Sequence, residues 1–240
     1  MLHRPDAIVF DMGGVLLDPA ERYDASSFTK SFPNGLPEPA PLDWFIGMSR
    51  ECSEYFISLE PPRPAVDWRP FIARWLEKRA VEATDEAVAR WRRIMEQWEL
   101  RPLFPHVRPT LAALHAQGVR MGVVSNTLSA AEGAREHFRD GGILEFFETT
   151  VFSAEFGTNK PDPAIFCHAL DTMGVAPERA WYVGDKPQRD ICGAHRAGMT
   201  ALLVDSAHTH RIHDAPDHYP DHRIPDITVL PELVASLSEE

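Results

Sequence analysis

The sequence predicts an α/β protein: a parallel sheet with helices on both faces, interrupted after its first strand by an all-helical insert. Three observations carry this. Short apolar runs alternate with helical patterns over residues 7–17 and 105–205, as strand–crossover–strand units do. Between residues 18 and 104 the alternation stops and apolar residues recur only at three- and four-residue spacings. Composition shifts there too, since five of the six tryptophans and twelve of the 23 aromatic residues lie between residues 18 and 100. The expected units are a core of residues 1–17 and 105–240 and a helical segment of residues 18–104.

Taken in order, Ala7, Ile8, Val9 and Phe10 form a short apolar run of the buried-strand type, ending at Asp11 and then Gly13 and Gly14. Similar runs follow at residues 121–124, 150–152, 181–183 and 201–204, with a weaker one at 227–230. Helical patterns cover residues 109–117, 128–138, 161–173 and 187–197. Pro161 and Pro187 open two of them, and Gly118, Gly174 and Gly198 follow the ends of three. In the insert, Phe45, Met48, Cys52, Phe56 and Leu59 make one helical stripe. Trp68, Phe71, Ile72, Trp75 and Leu76 make a second, and Val88, Trp91, Met95 and Trp98 a third. Helices packing against one another account for all three. Pro19 marks the way in, Pro102 and Pro105 the way out.

The 240 residues carry a formal charge of −12. That balance argues against nucleic acid or an anionic membrane as partner, because phosphate-rich surfaces call for basic patches. Cys52, Cys167 and Cys192 are widely spaced and form no CxxC pair, which points to a reducing cytoplasm rather than a disulfide framework or zinc site. No run approaches the roughly 18 apolar residues of a membrane helix, and the N-terminus lacks a secretory pattern. A soluble cytoplasmic protein, monomer or homodimer, is expected.

Four motifs stand in a fixed order, each expected at the carboxyl end of a strand, the third also opening a helix: Asp11-Met-Gly-Gly14, Ser125-Asn126, Lys160-Pro-Asp-Pro163, and Gly184-Asp-Lys-Pro-Gln-Arg-Asp190. Ligands of open parallel sheets bind just outside the carboxyl ends of the strands, so Asp11, Ser125 and Asp185 can converge. Such a set suits phosphoryl transfer. A strand-end carboxylate can attack phosphorus and hold Mg²⁺. The Ser125 hydroxyl and the Lys160 ammonium can hold phosphoryl oxygens, and Asp185 with Asp190 completes a metal site. Each residue alone also reads as a turn residue, a helix cap or a solvated lysine.

In these motifs, and in the place of its helical segment, the chain resembles the haloacid dehalogenase-like hydrolase superfamily, in its branch with a helical cap after the first core strand. The resemblance implies a Rossmann-like core and Mg²⁺-dependent hydrolysis of a small phosphorylated metabolite. Asp11 would be the nucleophile, forming an aspartyl-phosphate. Ser125 and the Asn126 backbone would bind the phosphoryl group, and Lys160 would neutralise it. Mg²⁺ would be held by Asp11, the Gly13 backbone carbonyl and Asp185, with Asp190 contacting the ion or supporting the residues that do.

The chain departs from this pattern at Gly13, where phosphatases of the superfamily usually carry a second aspartate as general acid/base. Metal binding through the backbone carbonyl survives the change. Proton transfer to the leaving group does not, and such catalysis is worth roughly 10²–10⁴-fold. Three readings follow: a slow phosphatase with another proton source, a 2-haloacid dehalogenase or phosphonatase, or a binding protein that keeps the fold. The retained Asp185/Asp190 pair counts against the dehalogenase, and a phosphonatase needs a cap lysine, here Lys30 or Lys78. His208, His210, His213, His218 and His222 crowd a stretch broken by Pro216 and Pro220, read as a solvated loop rather than a metal site.

Overall fold

The computed structural model describes residues 2–18, 42–58, 67–205 and 216–237. Its strands are β1 (Ala7–Phe10), β2 (Arg120–Ser125), β3 (Thr149–Phe152), β4 (Ala180–Gly184), β5 (Thr200–Val204) and β6 (His222–Ile224). Its helices are α1 (Leu42–Ser58), α2 (Arg69–Glu77), α3 (Asp85–Glu99), α4 (Val107–Ala116), α5 (Ala131–Asp140), the single turn α6 (Ser153–Phe156), α7 (Pro163–Met173), α8 (Cys192–Arg196) and α9 (Leu230–Ala235). The strands form one sheet in the order β3-β2-β1-β4-β5-β6, every pairing parallel.

β1 lies in the middle because it can be buried on both faces. Its four residues are all at most 1% exposed, and their side chains alternate between the two layers. Ile8 and Phe10 join Leu111 of α4, Phe138 of α5 and Val234 of α9 in one core. Ala7 and Val9 join Phe166 and Leu170 of α7 and Ala194 of α8 in the other. The chain runs from β1 outward to β2 and β3, then returns to place β4 on β1's other side. That reversal leaves a crevice at the carboxyl end of β1.

Helices α1, α2 and α3 hold a third apolar cluster of their own, with Phe45, Met48, Trp75, Trp91 and Trp98 buried in it. Edge-to-face packing of Phe45 on Trp98, with centroids 5.0 Å apart, joins α1 to α3. The flanks of the segment are tied together at its base: Asp18 N–H donates to Pro102 O at 3.1 Å, and Phe104 N–H to Leu16 O at 3.0 Å.

Three expected elements are corrected. The weak strand at 227–230 is instead a 3₁₀ turn (Ile227–Val229) leading into α9. The Asp226 carboxylate accepts from Thr228 N–H at 2.8 Å, and Pro231 sits in the first helical turn, so two N-terminal signals favour a helix; the sixth strand is β6 instead. The helix expected at 187–197 begins as a π-helical turn, Pro187–Ile191, before continuing as α8. The helix expected from 128 starts at Ala131; in the loop before it Thr127 N–H donates to Ser153 Oγ at 3.0 Å, and Leu128 and Ser129 N–H donate to Glu99 at 2.8 and 2.7 Å. Pro19, Lys30, Leu59, His208, His210 and His213 lie outside the described residues, as does the side chain of Phe56.

Candidate active site

The crevice collects the sequence motifs. Phe10 is in register with Val123 of β2 and Val183 of β4, so Asp11, one residue on, emerges between the two neighbouring strand ends. Its N–H donates to Val183 O at 2.8 Å. Ser125 ends β2 and donates its hydroxyl to Asp11 Oδ1 at 3.0 Å. Asp185 follows β4 directly. Asp11, Ser125, Lys160, Asp185 and Asp190 are all buried.

Lys160 arrives from the loop before α7 and is 1% exposed. Its Nζ donates to Asp11 Oδ1 at 2.8 Å and to Tyr182 Oη at 2.7 Å, and pairs with Asp190 Oδ1 at 2.7 Å. Val124 O lies 3.1 Å away and also accepts from the Tyr182 hydroxyl at 2.8 Å. The Lys160 main chain is clamped by one amide: Lys160 N–H donates to Asn126 Oδ1 at 2.8 Å, and Asn126 Nδ2 donates to Lys160 O at 3.2 Å. Beside the backbone contact that the family resemblance implies, Asn126 thus has a second task, positioning the lysine through its side chain.

Electrostatics separate the two carboxylates that share this lysine. Burial by itself would raise the Asp11 carboxyl, but Lys160, Lys186 and the hydrogen bonds to it outweigh burial and hold it below its ordinary value. Burial dominates at Asp190, pushing it upward against the pull of Lys160. Desolvation opposes the Lys160 charge, yet Asp11 and Asp190 more than compensate and raise it. Burial foremost, then the neighbouring carboxylates, keep Tyr182 a protonated phenol. Asp11 is thus held as a carboxylate, equipped for nucleophilic attack.

Asp190 shapes the second half of the site. Its Oδ2 accepts from Asp185 N–H at 3.1 Å and Lys186 N–H at 2.9 Å, which the wide π turn permits by bringing the carboxylate back over its own N-terminus. Gly184 makes room, since a Cβ there would stand 2.3 Å from Asp190 Cβ. Gly14, at φ +88°, does the same for Asp185, whose Oδ2 would meet a Cβ at 2.3 Å. Asp11, Asp185 and Asp190 each bring an oxygen within 4.8 Å of the others. A buried, all-carboxylate donor set of this kind fits a hard divalent cation such as Mg²⁺.

Two contributors were not assigned from sequence. Tyr182 sits inside an apolar strand, and the signal was that a buried phenol needs a partner. Lys186 Nζ lies 2.5 Å from Asp185 Oδ1 and 4.0 Å from Asp11 Oδ2. Next to an acidic residue and a proline, it reads as an ordinary surface lysine. Lys78, the cap lysine within the described residues, is exposed beside Glu51 at 3.9 Å. His218 lies 3.8 Å from Asp217, and exposed His222 opens β6.

Lys160→Met leaves Asp11 and Asp190 buried without their shared cation and should cost about 3–5 kcal/mol, measured by urea unfolding at neutral pH. Asp11's lowered value means its contribution exists above the ordinary carboxylate range and is lost as pH falls through its folded value. The gap between wild type and variant therefore narrows on acidification. A gap that is small at neutral pH, or that widens in acid, contradicts this.

The chain is similar to the glyceraldehyde 3-phosphate phosphatase of Methanothermobacter thermautotrophicus, at 40% identity over 134 residues, 56% of this chain and 56% of that protein. The match thus spans little more than half of that relative's length. It is similar over a longer stretch to the phosphoglycolate phosphatase of Rhodospirillum rubrum, at 30% identity over 209 residues, 83% of this chain and 79% of that one. Among solved structures, a 2-haloacid dehalogenase from Pseudomonas syringae is 27% identical, with a TM-score of 0.64 over 95% of this chain and 97% of that one. The family model of the haloacid dehalogenase-like hydrolases matches residues 8–204, and with the parallel sheet and the buried Asp11 site at its carboxyl edge, the chain belongs to that family.

Proposed function

We propose that this protein is a Mg²⁺-dependent phosphatase of small phosphate monoesters that works through an aspartyl-phosphate on Asp11. The observation that carries the reading is the asymmetric hold on Asp11. Its Oδ1 is fixed by Ser125 and Lys160, while its Oδ2 faces the Asp185 side, 4.0 Å from Lys186. An Asp11 oxygen forms the bond to phosphorus as the bond to the leaving oxygen breaks. Water then attacks phosphorus and restores the carboxylate. Lys160 and Ser125 offset negative charge on the phosphoryl oxygens as they approach. Asp11, Asp185 and the Gly13 carbonyl would hold Mg²⁺, with Asp190 fixing the Asp185 loop; bound there, the ion would supply positive charge that offsets the charge of the phosphoryl group.

The names of the relatives support short-chain phosphates as first probes, and the free thiols suit a cytoplasmic protein. The same reading makes it a monomer or homodimer and residues 18–104 a cap over the site. Two ties support the cap: Glu99 at the end of α3 accepts from Leu128 and Ser129 beside the Ser125 loop, and Leu128 packs on the helical cluster. A closing cap would exclude water during transfer.

A second reading, a 2-haloacid dehalogenase, has the Pseudomonas syringae structure in its favour. Phosphate release from glyceraldehyde 3-phosphate and phosphoglycolate, lost with EDTA and with Asp11→Asn, is the expected result. Chloride release from 2-haloacids without metal favours the dehalogenase. Bound metal with no turnover on any substrate favours a binding protein.

Gly13 gives a sharper test. A Cβ at this position meets nothing within 4 Å, and its φ is not positive. A side chain can therefore start here, and Gly13→Asp should raise kcat by roughly 10²-fold if the leaving group lacks a proton donor. An unchanged kcat would mean that protonation is supplied elsewhere or is not limiting.

A further inference from the structure

We propose that Lys186 is an internal cation competing with the divalent metal for the gap between Asp11 and Asp185, so that this one side chain holds the protein's metal affinity down. The inference rests on the metal-dependent reading above. Lys186 Nζ lies 2.5 Å from Asp185 Oδ1 and 4.0 Å from Asp11 Oδ2. It thus stands against two of the carboxylates that would ligate the ion, and an ammonium and a dication cannot share that space.

The two lysines of the site differ in how easily they can leave. Lys160 has a side chain 2% exposed and four oxygens within 3.1 Å, from Asp11, Asp190, Tyr182 and Val124. Lys186 is 18% exposed at its side chain and reaches Asp185 as its one close partner. Its backbone is anchored by Asp190 through the N–H at 2.9 Å, while the flexible four-carbon stem can swing outward. Displacement costs one short ion pair and leaves the loop in place.

Charge points the same way. Asp11, Asp185 and Asp190 face Lys160 and Lys186, so the cluster carries a formal −1 with both lysines and −2 without Lys186. Repulsion between like charges a few ångströms apart in a partly buried site is large enough to change affinity by at least ~10-fold. Lys186 also keeps Asp185 paired when no metal is present, so the site stays assembled in chelator.

The test is titration of the full-length protein with Mn²⁺, read by its electron paramagnetic resonance signal, in wild type, Lys186→Gln and Lys186→Met. Both variants should bind Mn²⁺ at least ~10-fold more tightly. In EDTA both should melt below wild type, and the metal-induced rise in Tm should be larger than in wild type. Asp185→Asn, in the Lys186→Gln background, should abolish the gain and so locate the ion. Equal or weaker affinity in both variants overturns the role of Lys186 while leaving the Asp11 mechanism standing. Absence of Mn²⁺ binding in all proteins overturns it together with the metal-dependent reading. A gain that survives Asp185→Asn places the ion elsewhere and overturns it as well.

Discussion

Everything at the site hangs on burying the Lys160 ammonium. A charge taken out of water is costly unless it is paired and its protons are spent on hydrogen bonds. Lys160 meets that demand with oxygens from four places: the end of β1 (Asp11), the end of β2 (Val124), the interior of β4 (Tyr182) and the π turn (Asp190). The requirement therefore fixes more than one side chain. It sets how β1, β2 and β4 finish relative to one another, and it holds the nucleophile candidate ionised in a place where burial alone would protonate it.

The backbone makes that arrangement possible. Because the sheet reverses direction of growth between β1 and β4, residues more than a hundred positions apart in sequence share one crevice. Close approach then depends on missing side chains. Gly14 and Gly184 each leave space that a carboxylate fills, Asp185 in one case and Asp190 in the other. Gly13 differs, since nothing crowds the place where its Cβ would be. Its lack of a side chain is thus a chemical difference rather than a packing need.

Much of this was legible in the sequence, and the reasons are physical. A four-residue apolar run such as Ala7 to Phe10 suits a strand covered on both faces, and an acid directly after it falls at the sheet's ligand-binding edge. Glycine marked the helix end at Gly174, whereas the helix opens at Pro163 behind the Asp162 cap, two residues after the Pro161 expected. The run at Ile227 misled because apolar residues suit a short strand or the buried side of a helix equally, and the deciding Asp226 cap is a local hydrogen bond. Lys186, the Asn126 amide and Glu99 were not legible because their roles come from tertiary partners. Asn126 meets Lys160 and Glu99 meets Ser129 across distances in sequence that no local pattern encodes, and Lys186, paired with its neighbour Asp185, comes near Asp11 only through the fold.

The Glu99 contacts give the helical segment a physical route to the chemistry: its last helix ends on the loop that carries Ser125 and Asn126. How the segment moves matters only if a covalent intermediate must be shielded and then opened to water. The central claim is that intermediate. An acyl phosphate on aspartate is reduced by borohydride to homoserine, so turnover quenched with borohydride and analysed by peptide mass spectrometry tests it directly. Homoserine at position 11, dependent on the phosphorylated substrate, is the result expected. Phosphate release with aspartate intact at position 11, or a modified residue elsewhere, would contradict it.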